Sequence, residues 1–264
     1  MSENWDSYIC NVNGHVASVF LNLSLFKTAP DSSRPCLLYV WVKMKSPRPD
    51  GLSSQEEAEA LWKLGDDLTA SFEKELDAVF AGRITTQGRR EFYFYVPQAR
   101  ENDPAIHRSL SSCSQYEYET GTQDDPTWGQ YLSVLYPSEE ELQKIRNRQA
   151  LEVLRKKGDQ LEEPREVSHW IYFKSEADRL KFSQSIKELG YELLPTSGLD
   201  EQEPGVYGLQ IRRRDCWDQE SIDNVVLEIL RFATAFDGEY DGWETELVRQ
   251  SRPLKSFIKR VGRN

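Results

Sequence analysis

One order of elements occurs twice in this chain, and it restricts the fold more than any single motif. Hydrophobic periodicity gives strand, helix, strand, strand, helix, strand over residues 36–120, and the same order again over 165–245. Each such run can close as an antiparallel sheet backed by two helices. The repeat lies in the order of elements, not in residue identity.

In the first half, runs 8–12 and 16–21 flank Asn13-Gly14. Asn-Gly between β-rich runs is a strong hairpin signal, because both turn positions need positive φ. Residues 36–42 are apolar on both alternating sets, as in a central strand covered on both faces. Ser53-Ser54-Gln55-Glu56 reads as a capping box. After it, Leu61, Leu64, Leu68, Phe72, Leu76 and Val79 recur at helical spacing. A short strand at 82–86 turns at Gln87-Gly88 into 90–96. Asp103-Pro104 opens a short helix with Ile106, Leu110 and Cys113 inward, and 116–120 is the next strand.

In the second half, Ser138-Glu139-Glu140-Glu141 is another capping box. Its helix, marked by Leu142, Ile145, Val153 and Leu154, ends at Gly158. Residues 165–173 form a buried strand. Ser175 caps a helix with Phe182, Ile186 and Leu189 inward. Strands at 191–194 and 206–212 flank an acidic loop, 196–205. Asp218 caps a helix whose Ile222, Val225, Val226, Ile229, Leu230 and Ala233 make the cleanest amphipathic face in the chain. Gly238 releases that helix into Glu239-Tyr240-Asp241-Gly242-Trp243.

The expected fold class is α+β: two tandem ferredoxin-like βαββαβ sandwiches, the first preceded by a β-hairpin. The expected domains are 1–122, 123–248 and a basic tail, 249–264. The boundary is placed in the turn-rich stretch 122–126, with the aromatic run 128–136 expected to pack between the halves.

A net charge of -11 argues against a surface that grips phosphate backbones throughout, and favours a basic partner. Direct nucleic-acid binding is therefore not expected. The four cysteines are scattered, without a C-x-x-C pair, and with three histidines they give no metal-site spacing. No cofactor is implied. The start of the chain has no apolar signal-peptide core. No apolar run approaches the roughly 18 residues of a membrane span. A cytoplasmic protein is the expectation.

Three groups of residues merit attention as sites. Tyr39, Trp41 and the strand 92–95 could stack RNA bases, but the glycines of that motif are absent and core packing explains the aromatics more simply. His169 lies in a core strand next to the last strand, so it could approach Glu239 or Asp241 as a general base. Ser168 points to the opposite strand face, and no nucleophile is placed beside His169. A framework role is the simpler reading. The alternative is a small-ligand or uncharacterised catalytic module using His169, Trp170 and Tyr172 in a cleft between the halves. The third group is acidic. Glu239, Asp241, Glu244 and Glu246 match no calcium loop, but they offer a landing surface for a basic partner. The tail beyond Glu246 carries Arg249, Arg252, Lys255, Lys259, Arg260 and Arg263, with Leu254, Phe257, Ile258 and Val261 at helical spacing among them.

Arg165-Glu166-Val167, His169-Trp170 and Tyr172-Phe173 resemble the bacterial regulator of ribonuclease E activity B (RraB-like) family. So do Gly158-Asp159, Ser175-Glu176 and the run Glu239-Tyr240-Asp241-Gly242-Trp243-Glu244, within residues 128–248. The first half resembles a domain of unknown function, number 695. Its pointers are Arg48-Pro49-Asp50-Gly51-Leu52, Gly88-Arg89-Arg90 with Phe92-Tyr93-Phe94-Tyr95, and Glu119-Thr120-Gly121-Thr122. The resemblance implies a ferredoxin-like second half and a non-enzymatic role. It implies an acidic inhibitor that binds a basic scaffold region of the endoribonuclease and changes which RNAs are cut. Glu239, Asp241, Trp243 and Glu244 are the expected protein-binding residues.

Overall fold

A computed structural model describes residues 3–98, 104–113, 115–161, 163–195, 205–216 and 218–248. The chain divides into two compact units, Met1–Glu141 and Leu142–Asn264. Both are mixed α and β, and each has its own antiparallel sheet.

The first unit opens with the hairpin β1 (Trp5–Val12) and β2 (His15–Asn22). Asn13 and Gly14 take φ of 52° and 86°, as the turn chemistry requires. There follow β3 (Cys36–Lys43), α1 (Gln55–Leu76), β4 (Val79–Thr86), β5 (Arg89–Val96), α2 (Pro104–Ser109) and β6 (Tyr118–Asp124). The sheet order is β1-β2-β4-β5-β3-β6. Leu38, Val40 and Val42 of β3 and Phe92, Phe94 and Val96 of β5 face α1, where Leu61, Leu64, Leu68 and Phe72 meet them. Each large apolar side chain buried here contributes about 1.5–3 kcal/mol. Val79, expected on the helix face, opens β4 instead. Asp77 takes the left-handed conformation (φ 51°) and ends α1 two residues earlier.

The predicted capping box at 53–56 does not form. Ser54 is the N-cap, but its hydroxyl makes no cap bond. The Glu57 carboxylate, which could have reached back to the N-cap, accepts from the amides of Lys45 (2.8 Å) and Ser46 (2.9 Å) instead. It thereby anchors the loop ahead of α1. That loop docks on the β4–β5 turn, where the Gly88 amide donates to Gly51 O at 3.0 Å.

Residues 128–136 belong to the first unit. Their aromatics cover the sheet face opposite the helices. Trp128 stacks on Tyr95 at 3.9 Å and donates from its indole to Arg34 O at 2.9 Å. Tyr131 donates to Asn22 O, and Tyr8 to Leu135 O. Asp125 holds the segment by accepting from Tyr95 Oη and from the amides of Gly129 and Gln130. The strand β6 also runs through the turn-rich stretch. The division of the chain therefore falls later than 122–126.

The helix α3 (Glu139–Lys156) has the capping box expected of it. The Ser138 amide donates to Glu141 Oε2 at 2.9 Å, and the Glu141 amide donates to Ser138 Oγ at 3.3 Å. The second unit continues with β7 (Arg165–Phe173), α4 (Glu176–Glu188), β8 (Glu192–Leu194), β9 (Tyr207–Asp215), α5 (Gln219–Thr234) and β10 (Gly238–Thr245). Among the described residues the sheet order is β10-β7-β9-β8, which puts β10 at an edge. Ile171, Phe173, Leu209 and Ile211 pack under Phe182, Ile186, Ile229 and Ala233. A second cluster joins Leu151 of α3 and Leu161 to Val167, Ile222 and Val226. Leu189, expected inward, is exposed, and on α3 Val153 is exposed while Leu151 is buried. The acidic loop at 196–204 and the basic tail at 249–264 lie outside the described residues.

Candidate functional site

The second sheet places its side chains by strict alternation along β7. Arg165, Val167, His169, Ile171 and Phe173 are buried on the helix side. Glu166, Ser168, Trp170 and Tyr172 point to the other face. His169 is fully buried. Its Nδ1 lies 2.9 Å from Tyr240 Oη, and among the described residues its buried Nε2 has no hydrogen-bond partner. Tyr191 meets it edge-on at 6.1 Å, its own buried hydroxyl also without a hydrogen-bond partner among the described residues. Burial first, and Arg213 second, push the His169 pKa down to about 3, so the imidazole is neutral. A tyrosine occupies the place where Glu239 or Asp241 was expected. Trp170 and Tyr172 lie on the opposite face, so the fold does not bring the three candidate ligand residues together.

The acidic strand behaves differently from simple alternation. In β10, Glu239 lies opposite Tyr172 and Glu244 opposite Ser168, which puts both on the open face. Between Tyr240 and Gly242 the register shifts. Asp241 is the extra residue of this bulge. Trp243 then lies opposite His169, on the helix side, and its indole N–H donates to Asn147 Oδ1 of α3 at 2.8 Å. Glu239, Asp241, Glu244 and Glu246 are exposed. The acids therefore share one sheet edge, while Trp243 is an anchor that ties α3 to that edge.

Beside these acids, the open face of β7, β9 and β10 carries a hollow of about 530 Å³, lined in part by Glu166, Arg212, Arg214, Glu244 and Glu246. Arg212 bridges Glu166 (3.0 Å) and Glu192 (2.7 Å). Sequence reasoning missed the pair that holds this corner. Arg165 clasps Asp159 with its two terminal guanidinium nitrogens, Nη1 and Nη2, at 2.5 and 2.8 Å, with both side chains buried. Asp159 also accepts from the amides of Leu161 and Val248, and Arg165 donates to Glu246 O. The Arg165 bonds, ahead of the two amides, hold the Asp159 carboxyl down to about 2. The signal was an acid and a base six residues apart, flanking a strand start, which is too common to single out.

In the first unit the strand considered for base stacking is closed. Every residue from Phe92 to Val96 is buried. Tyr39 and Trp41 pair with each other at 5.0 Å, and Arg89 lies over Trp41 at 4.6 Å. Among the described residues, no group of three or more His, Cys, Asp or Glu side chains converges to hold a metal ion. Among the same residues no helix is long and apolar enough to cross a membrane.

Residues 3–136 match the model of a family of unknown function, DUF695. Residues 144–245 match that of the regulator of ribonuclease activity B, RraB. No curated protein matches the chain. Among solved structures, an unknown protein from Galdieria sulphuraria is similar at 11% identity, over 80% of this chain and 98% of that one, with a TM-score of 0.21.

Proposed function

The chain belongs to the DUF695 family and carries a second unit that matches RraB, and from that premise we propose that it is a non-catalytic regulatory protein that acts by protein–protein contact. The second unit binds a basic segment of a ribonuclease E-type enzyme and alters RNA decay. The observation that carries this reading is the RraB match over 144–245, which spans the whole acidic edge strand β10. Glu239, Asp241 and Glu244 are the contact residues, and Trp243 positions their strand.

The physical chemistry supports such a role. An edge strand leaves one row of backbone groups unpaired. On β10 that row is bordered by carboxylates, which attract a basic chain and set its orientation. The bulge at Asp241 interrupts the edge and discourages indiscriminate strand pairing. His169, neutral and walled in, supplies framework rather than proton transfer. A cytoplasmic setting accords with four cysteines scattered along the sequence without a C-x-x-C pair.

We also read both units as ferredoxin-like. In the second, the chain order β7, α4, β8, β9, α5, β10 gives the sheet order β10-β7-β9-β8. In the first, β3 to β6 give β4-β5-β3-β6, the same arrangement, with the hairpin added beyond β4.

The reading is tested by adding the full chain to a ribonuclease E reaction on a structured RNA. Slower or redirected cleavage, with no cleavage by the chain alone, is the expected result. Unchanged cleavage products and rates at saturating protein would refute it.

A further inference from the structure

The first sheet is wider than its helices can cover. Strands lie about 4.8 Å apart and a helix is about 10 Å across, so one helix covers roughly two strands. α1 and α2 pack over the β3–β5 region, and the β1–β2 hairpin extends the sheet beyond β4. Tyr8 fixes which way the hairpin faces. It points away from the helices to Leu135, so Trp5 and Ile9 lie on the helix side, as do Phe20 and Val16, which pair with Ser7 and Asn11 on the same face. There Ile9 is 59% and Val16 37% exposed, and Trp62 on the near flank of α1 is 51% exposed.

Between that face and α1 runs a groove. Trp5 forms its floor, stacked on Phe20 (5.1 Å) and Phe80 (5.4 Å), with Arg83 over Phe20 at 4.4 Å. One hollow of about 570 Å³ is bounded by Trp62, Asp66 and Glu73 of α1. A second, of about 260 Å³, continues it and shares Glu3, Trp5, Glu73 and Phe80. The rim is acidic: Glu3, Asp66 and Glu73 are all exposed there. Burial, and then Glu3, raise the pKa of Glu73, as happens where carboxylates crowd, while Arg83, which also lines the hollow, interacts with Asp66.

We propose that this groove docks an amphipathic helix of a partner protein, with its apolar side chains on Trp5, Phe20 and Trp62 and its Lys or Arg side chains against Asp66 and Glu73. The groove occupies the position that a third helix of the layer would fill. Aromatic floor and acidic rim together select an apolar, cationic helix. A second copy of this chain would bring the same acidic rim against itself. An anionic lipid surface would be repelled by it.

The test uses the full chain and a fluorescein-labelled amphipathic Leu/Lys helix of about 18 residues, with binding read by anisotropy. Saturable binding is expected, weakened about tenfold or more by Trp62→Ser and by the pair Asp66→Lys and Glu73→Lys. These side chains are exposed, so the variants retain the fold. A Leu/Glu helix of the same pattern should not bind. Three results overturn the proposal: no binding by the parent chain, equal binding of both peptides, or loss of binding only when Glu239 and Glu244 are changed to Lys, which assigns the peptide to β10. A dimer in sedimentation that Trp62→Ser dissociates also overturns it, since a second copy then fills the groove.

Discussion

Asp159 and Arg165 show how much one buried pair can decide. Neither charge is solvated, so removing one strands the other. Asp159→Asn should lower the stability of the second unit by about 3–5 kcal/mol in urea titrations. A change below about 1 kcal/mol would mean the amides of Leu161 and Val248 carry the site alone. The pH dependence has a defined direction. The folded pKa of Asp159 lies below the unfolded value, so its contribution is present above about 4 and fades as pH falls toward 2. His169 acts in a higher window. Its folded pKa also lies below its unfolded value of 6.5, so the unfolded chain takes the proton first. Stability should fall by about 1.4 kcal/mol per pH unit below 6.5, until folded His169 titrates near 3. His169→Gln should flatten that slope between pH 6 and pH 4, roughly the window set by the two pKa values. An identical slope in the variant would show that His169 is not the group responsible.

Elements were legible where local chemistry decides them. Asn13-Gly14 announces its hairpin because few other pairs accept positive φ at both turn positions, and Gly88 marks the turn after Gln87. The helix faces of α1 and α5 follow from spacing alone. Long-range contacts override local signals elsewhere. Glu57 was free to close a capping box, but two loop amides claim it. The run 128–136 reads as an interdomain aromatic stretch, and only Tyr95 and Asp125 reveal it as a cover for the first sheet. In β10, plain alternation would group Glu239, Asp241 and Trp243, but one bulge moves Trp243 to the other face and brings Glu244 beside Glu239. The loop ahead of α1 offers a test at this scale. Gly51 sits at φ 82°, and a Cβ there would lie 2.8 Å from Gln87 N, a backbone atom. Gly51→Ala should cost about 1–3 kcal/mol in thermal or urea unfolding. A neutral result would mean that the loop is not seated on the β4–β5 turn.

At the scale of the whole molecule, a net charge of -11 makes association with a basic partner fast and salt-sensitive. Overall charge alone does not give an address, since both units carry acids. What distinguishes β10 is that its acids line a sheet edge held by the Asp159–Arg165 pair and the Trp243–Asn147 bond, within the stretch that matches RraB. The most direct measurement is therefore a titration of the full chain with the basic scaffold segment of a ribonuclease E, at low and physiological salt, alongside the triple variant Glu239→Lys, Asp241→Lys, Glu244→Lys. The account predicts saturable binding that weakens as salt rises, and at least about a tenfold loss of affinity in the variant with its fold intact. Equal affinity of parent and variant would contradict it.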